Sequence, residues 1–346
     1  YGRKPDGEES WLFFQEPTPN ESNNNSLGFE SSCEAPEFLL DPGFYNGSVE
    51  LIIDSDENSY PIYYTLDGSD PTINSNLYLE PININETAVL RASMIHQNCL
   101  SSEIATSSYF INEDMNLPIV SLSTNPDNFW DEEYGIYVMG SNASLNFPYF
   151  GANFWEDWER PIHVELFESN GELGFSLDAG VKIFGGWSRG WPQKSLAIHA
   201  RSDYGTSEIN YQIFPDKEID SFTSIVLRNS GNDWFGGEGS ATMLRDGMHT
   251  SLMDNTGLDH QEYRPAVVYI NGEPLILAGV QIQRDYFYFD EVEGDLDVSR
   301  TNELIRRIRD EFPRRAFVGY TATPFANFLI YSRVKLARLA ISAIVT

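Results

Sequence analysis

The chain has 346 residues, 52 of them acidic and 22 basic, for a formal net charge of −30; such a surface repels phosphate backbones and anionic headgroups, which excludes nucleic acid as a partner for most of it. Apolar residues at 41% and aromatics at 14% fill real cores, which excludes wholesale disorder, and the length predicts two or three domains. No apolar run reaches the roughly 18 residues of a membrane span, and no apolar leader follows Tyr1, so a signal peptide is expected to lie outside these residues.

Residues 1–30 are turn formers around a few aromatics, followed by the polar stretch Glu21 to Ser26. They read as the end of one module and a linker. The Gly2-Arg3-Lys4-Pro5-Asp6-Gly7 and Pro17-Thr18-Pro19 wording resembles the closing segment of lamin-tail-type domains.

From 31 to 113, short β-rich runs recur at Ser48 to Ile53, Pro61 to Thr65, Ala88 to Met94 and Ile104 to Ile111, punctuated by Gly, Pro, Asn and Asp. That pattern predicts an Ig-like β-sandwich. Cys33 and Cys99 make either one disulfide or two buried thiols. In Leu66-Asp67-Gly68 the glycine supplies a positive φ and the aspartate bonds its own backbone, so this is a turn that needs no ligand. The whole run from Tyr63-Tyr64-Thr65 to Ser69-Asp70-Pro71-Thr72 resembles the β-sandwich module at the end of chitobiases, a fibronectin-III-like appendage of bacterial surface proteins. A spacer is the expected role.

The third region, 114–273, opens on the buried-strand run Leu117 to Leu122, then Asn128-Phe129-Trp130 and Gly135 to Val138. Further strands are expected at Ile162 to Phe167, at Gly180 to Phe184 after a turn at Asn170-Gly171, and at Ser195 to His199 and Ser224 to Arg228. The last, Ala266 to Ile270, turns at Asn271-Gly272. Leu244, Met248 and Leu252, four apart, predict a helix over Ala241 to Met253.

Four words here resemble the CotH kinase family of bacterial spore-coat and surface proteins: Gly185-Gly186-Trp187-Ser188-Arg189 with Pro192-Gln193-Lys194-Ser195-Leu196, Leu227 to Asp233, Leu244-Arg245-Asp246, and Arg264 to Glu273. The resemblance implies an atypical kinase-like fold that uses ATP with Mg²⁺ to phosphorylate serine on protein substrates. It also implies a secreted or cell-surface location in bacteria. The expected fold class is mainly β with α+β: the sandwich, an α+β kinase-like N-terminal lobe, and a short mixed or helical tail.

Phosphoryl transfer needs a cation on the phosphates, carboxylates holding metal, and a base for the acceptor. Lys194, after a Gly- and Arg-containing turn and at a strand start, either aims a charge at a phosphate or faces solvent. Arg189 is a candidate clamp on the same group. Arg228 is either a nucleotide contact or the ion-pair partner of Asp233 in a locked turn, and Arg245-Asp246 either meet Lys194 or form a solvated helix face. These five residues, Arg189, Lys194, Arg228, Arg245 and Asp246, are the candidate nucleotide site. The histidines show no HExxH, HxH or Ser/His/Asp wording, and no metal-ligand spacing is present.

After Glu273 the family wording stops at Pro274-Leu275-Ile276, and the lobe that carries the family's catalytic aspartates has no counterpart in the chain. Residues 274–346 differ in kind, with nine basic against three acidic side chains from Val298 onward. Thr301 to Arg306 and Phe317-Val318-Gly319-Tyr320-Thr321-Ala322-Thr323-Pro324-Phe325-Ala326-Asn327 resemble the helicase-like ATPase domain of restriction endonucleases, and Tyr288 to Glu291 reads as an acidic strand end of the same domain. No GxxxxGK[ST] loop accompanies them. A chimeric join between Pro274 and Val298 is expected, with nucleic acid a partner only through this basic tail. The functional expectation is therefore a surface kinase-family protein that is catalytically incomplete; the alternative is a non-catalytic adhesion protein that binds surface glycans.

Overall fold

The computed structural model describes residues 1–275 apart from 17, 56–59, 114–115, 234–244, 254–255 and 257–259, together with the backbone of 286–291. The expectations for residues 292–346 lie outside it. The described fold is mainly β, with helix limited to short segments.

Residues 2–29 form a small antiparallel sheet of β1 (Gly2–Arg3), β2 (Trp11–Phe14) and β3 (Gly28–Phe29). The sandwich follows. One sheet has the order β5-β12-β11-β8-β9, from Gly43–Tyr45 (β5), Ile62–Thr65 (β8), Asn76–Leu77 (β9), Ala88–Met94 (β11) and Ala105–Ile111 (β12). Facing it are two short pairs, β4 (Glu37–Phe38) with β7 (Ile53–Asp54) and β6 (Val49–Leu51) with β10 (Ile82–Ile84). Leu51, Leu90, Met94 and Tyr109 fill the space between them. Cys33 and Cys99 form a disulfide, with Cα atoms 5.5 Å apart, so of the two states left open the cross-linked one holds.

The lobe is one curled, half-barrel sheet. Its order is β13 (Ile119–Ser123), β14 (Arg160–Phe167), β15 (Leu173–Phe184), β16 (Ser195–His199), β19 (Ser224–Arg228), β22 (Tyr286–Glu291), β20 (Tyr263–Ile270) and β21 (Glu273–Pro274), and β13 also pairs in parallel with β20. Strands β17 (Ile209–Asn210) and β18 (Ser221–Phe222) form a separate pair. Alternation sends Val164, Val181, Ile198, Leu227 and Val268 into the concave core.

Three expectations are corrected. Gly135 to Val138 is no strand: its chain turns after the short helix α1 (Asp127–Trp130), and Ile136 and Tyr137 reach the core from the turn. Helix α2 spans Arg245–Ser251, and Met248 and Leu252 face solvent. Its packed residue is instead Gly247, which lies so close to the Tyr263 ring that a Cβ would come within 2.4 Å of it. Lastly, Tyr288 to Glu291 is not part of a foreign module; it lies in β22, between β19 and β20 of this sheet.

The sandwich packs directly against the lobe. Phe110 of β12 is fully buried among Phe44, Phe167 and Tyr269, with ring centroids 4.7, 5.4 and 5.1 Å away. Beside this seam two turns interlock. Gly68 (φ +83°) lies under the Asn271 side chain, where a Cβ would come within 2.1 Å, and Gly272 (φ +83°) lies on Ala88, where a Cβ would be 3.1 Å from Cα. Asn271 Oδ1 in turn accepts the Thr124 N–H at 2.9 Å, and Asn125 Nδ2 donates to Asp70 at 3.2 Å.

Glu165 lies in the same layer. It pairs in register with Ser121 of β13 and Ser176 of β15 and is 1% exposed, with its carboxyl beside Ser108 of β12. Burial raises its pKa above the usual carboxylate range, against the pull of His163 and of hydrogen bonds from Ser108. An unfolded glutamate ionises near about 4.3. Its stabilising contribution is therefore full below that pH and is lost as pH rises through the higher folded value. Glu165→Gln should remove this loss, so that denaturant titrations at pH 5 and pH 8 show the variant more stable than the parent at the higher pH alone. Parallel pH profiles for the two proteins would contradict the desolvated carboxyl.

Candidate functional site

Lys194 opens β16 and points into one end of the curled sheet. It is not the solvent-facing lysine that a strand start allows: the residue is 4% exposed. Its Nζ lies 4.0 Å from the Phe154 ring centroid and 5.2 Å from that of Tyr137, and donates to the Trp191 carbonyl at 2.7 Å. The Tyr137 hydroxyl accepts the Lys194 backbone N–H at 2.9 Å, which fixes the box around the ammonium. Among the described residues no carboxylate pairs with it, and desolvation alone pushes its pKa down from 10.5 to about 7. An amine held this way, with attractive ring faces and no counter-ion, is prepared to meet an anion.

The turn before β16 builds one wall. Gly185 adopts φ +109°, and the 3-10 turn Trp187–Gly190 follows. Arg189 does not point outward as a clamp: Nε donates to the Gly185 carbonyl at 2.6 Å and Nη1 to the Phe154 carbonyl at 3.2 Å. It thus ties the turn to the residue that stacks on Lys194. Trp187, Phe147 and Phe150 cap this end, each partly exposed.

Residues that sequence reasoning passed over hold the next layer. Asn229 is buried, donates from Nδ2 to the Gln193 carbonyl at 2.6 Å, and exchanges two 3.0 Å bonds with Ser195, clamping the end of β19 to the start of β16. Its Oδ1 also accepts the Gly231 N–H at 2.9 Å. The signal was an asparagine just before the positive-φ pair Ser230 and Gly231. Gln193 is fully buried with both amide atoms unpartnered.

Asp233 takes Arg245 from α2, accepting its backbone N–H at 3.2 Å and lying 3.3 Å from its Nε. Arg245 therefore locks the loop and does not meet Lys194. Arg228 ends β19, in register with Tyr288 of β22. Asp246 stands on α2; its side chain lies outside the described residues.

Residues 181–298, which span Lys194, the Asn229 turn, α2 and β22, match the family model described as CotH kinase protein. The chain carries a CotH kinase domain. Residues 40–107, the disulfide-linked sandwich, match the Chitobiase/beta-hexosaminidase C-terminal domain. The CotH match runs on past Glu273, where the family wording was expected to end, and so takes in the strand that completes the sheet. The chain matches no curated protein.

The cofactors this family implies fit unequally. A nucleotide phosphate suits the buried Lys194 ammonium, which has no carboxylate beside it among the described residues. For Mg²⁺, no group of three or more His, Cys, Asp or Glu side chains converges among the described residues.

Proposed function

We propose that this is a secreted or surface-displayed bacterial protein whose CotH kinase domain binds the phosphates of a nucleotide at Lys194 without transferring phosphate to serine. The observation that carries the reading is a desolvated ammonium in an aromatic box, with no carboxylate partner among the described residues, on a central strand of the family-matched sheet. The Cys33–Cys99 disulfide supports an oxidising compartment. ATP with Mg²⁺ should raise the unfolding midpoint of the full chain, by the equivalent of about 2.7 kcal/mol at a hundredfold excess over Kd. A Lys194→Met variant should show no such shift, and a shift that survives the substitution would place the nucleotide elsewhere. Incubation with radiolabelled ATP, Mg²⁺ or Mn²⁺ and a serine-rich protein should give no transfer above the Lys194→Met background. Labelling abolished by that substitution would show a working active site.

A second reading has its own observation. A cavity of about 830 Å³ lies between the sandwich and the lobe, lined by Asp67, Asn83, Glu86, Glu273 and the half-exposed Trp130, with no basic side chain. Its size and its place at a domain junction suit a small ligand. A non-catalytic adhesion protein would hold a surface glycan there, with the indole against a sugar face and the amide and carboxylates on its hydroxyls. Glycan-array binding lost in Trp130→Ala, with no response to ATP, would favour this reading over the nucleotide one.

A further inference from the structure

The convex face of the sheet carries a relay that neither reading uses. His163 of β14 stands opposite Asp178 of β15, and Ser176 lies two residues before Asp178 on the same strand, so all three side chains share one face. His163 Nδ1 lies 2.7 Å from Asp178 Oδ1, and His163 Nε2 lies 3.0 Å from Ser176 Oγ. An ionised carboxylate only accepts hydrogen bonds. The ring proton therefore sits on Nδ1, which leaves Nε2 to accept the Ser176 hydroxyl. The imidazole is sheltered, its side chain 12% exposed, while Ser176 and Asp178 open to solvent. The ionisable groups around the ring are Asp178 across on β15 and Glu165 further along β14; β13 presents Ser123 opposite it.

This is the connectivity that activates a serine hydroxyl, and it is recognised by geometry and role whatever the chain order. We propose that Ser176, His163 and Asp178 form an acyl-transfer site that takes small activated esters. Ser176 Oγ bonds to the acyl carbon as its proton passes to His163 Nε2. The bond from that carbon to the leaving oxygen then breaks, and the leaving group takes the proton from the imidazolium. Water, giving a proton to the same Nε2, attacks the seryl ester, and Ser176 Oγ recovers that proton as the carboxylic acid departs. Asp178 orients the ring and stabilises its charged form. None of the three lines the cavity between the modules; the site lies on an open strand face, which suits small substrates with good leaving groups.

The test uses the full chain with a fluorophosphonate probe, mapping the labelled peptide by mass spectrometry, and with p-nitrophenyl acetate as substrate. Ser176 should carry the label, and labelling and ester turnover should both proceed at measurable rates. His163→Gln should slow them about 100-fold or more, the usual worth of a general base. Because a change on β14 can disturb folding, the exposed Asp178→Asn is the second variant: it should slow labelling at least tenfold with an unchanged circular dichroism spectrum. The proposal is overturned if Ser176 stays unlabelled, or if folded Asp178→Asn protein labels at the parent rate.

Discussion

Replacing Phe110 by alanine is expected to lower the unfolding free energy by about 3–5 kcal/mol, the range for deleting a fully buried aromatic ring. The ring sits where β12 of the sandwich meets β13, β14 and β20 of the lobe, so its removal opens a cavity walled by Phe44, Phe167 and Tyr269. Few atoms can collapse into it, because Gly68 against the Asn271 side chain and Gly272 against the Ala88 backbone already hold the two modules in close contact beside the seam. Guanidinium titration followed by far-ultraviolet circular dichroism should show a single transition in the parent and two separated transitions in the variant. A variant that still unfolds in one step, within about 1 kcal/mol of the parent, would mean that the seam does not couple the modules.

Lys194→Met should act in the opposite direction. The lysine pKa falls from 10.5 to about 7 on folding, so folding is penalised wherever the unfolded chain is protonated and the folded one resists it. That penalty is absent above pH 10.5, grows as pH falls, and is complete near pH 7. At about 1.36 kcal/mol per unit it is worth roughly 5 kcal/mol. Methionine keeps the length and apolar stem without the charge, so the variant should be more stable than the parent by that order at pH 7 and close to it at pH 10. Equal stability at pH 7 would mean that the ammonium is solvated, and the anion-site argument would lose its basis.

How much of this was legible in the sequence depends on where each interaction's partners lie along the chain. Strands Ala88–Met94, Ser195–His199 and Ser224–Arg228 fall where their β-rich runs and flanking turns put them. The glycine requirement of the Leu66-Asp67-Gly68 and Asn271-Gly272 turns was readable too, but not that each turn was the other's partner. Lys194 could be picked out by its neighbours, yet its burial depends on Tyr137 and Phe154, which reach it from a turn and a 3-10 segment with no strand or helix pattern. The Ser176, His163 and Asp178 relay stayed hidden because the expected strand began at Gly180, whereas β15 starts at Leu173. Extending that strand back to the Asn170-Gly171 turn would have set His163 opposite Asp178.

The place of β22 decides what counts as a unit of this protein. Its backbone is matched at Ile225 to Arg228 on one side and at Tyr263 to Val267 on the other. A fragment ending at Glu273 would keep every candidate phosphate contact, but it would leave two neighbouring strands with a row of unanswered amides and carbonyls between them. Such an opening recruits whatever extended peptide is nearest, including the same strand of another molecule. Short versions of the lobe should therefore self-associate through that gap, and a synthetic peptide covering 286–291 should compete for it.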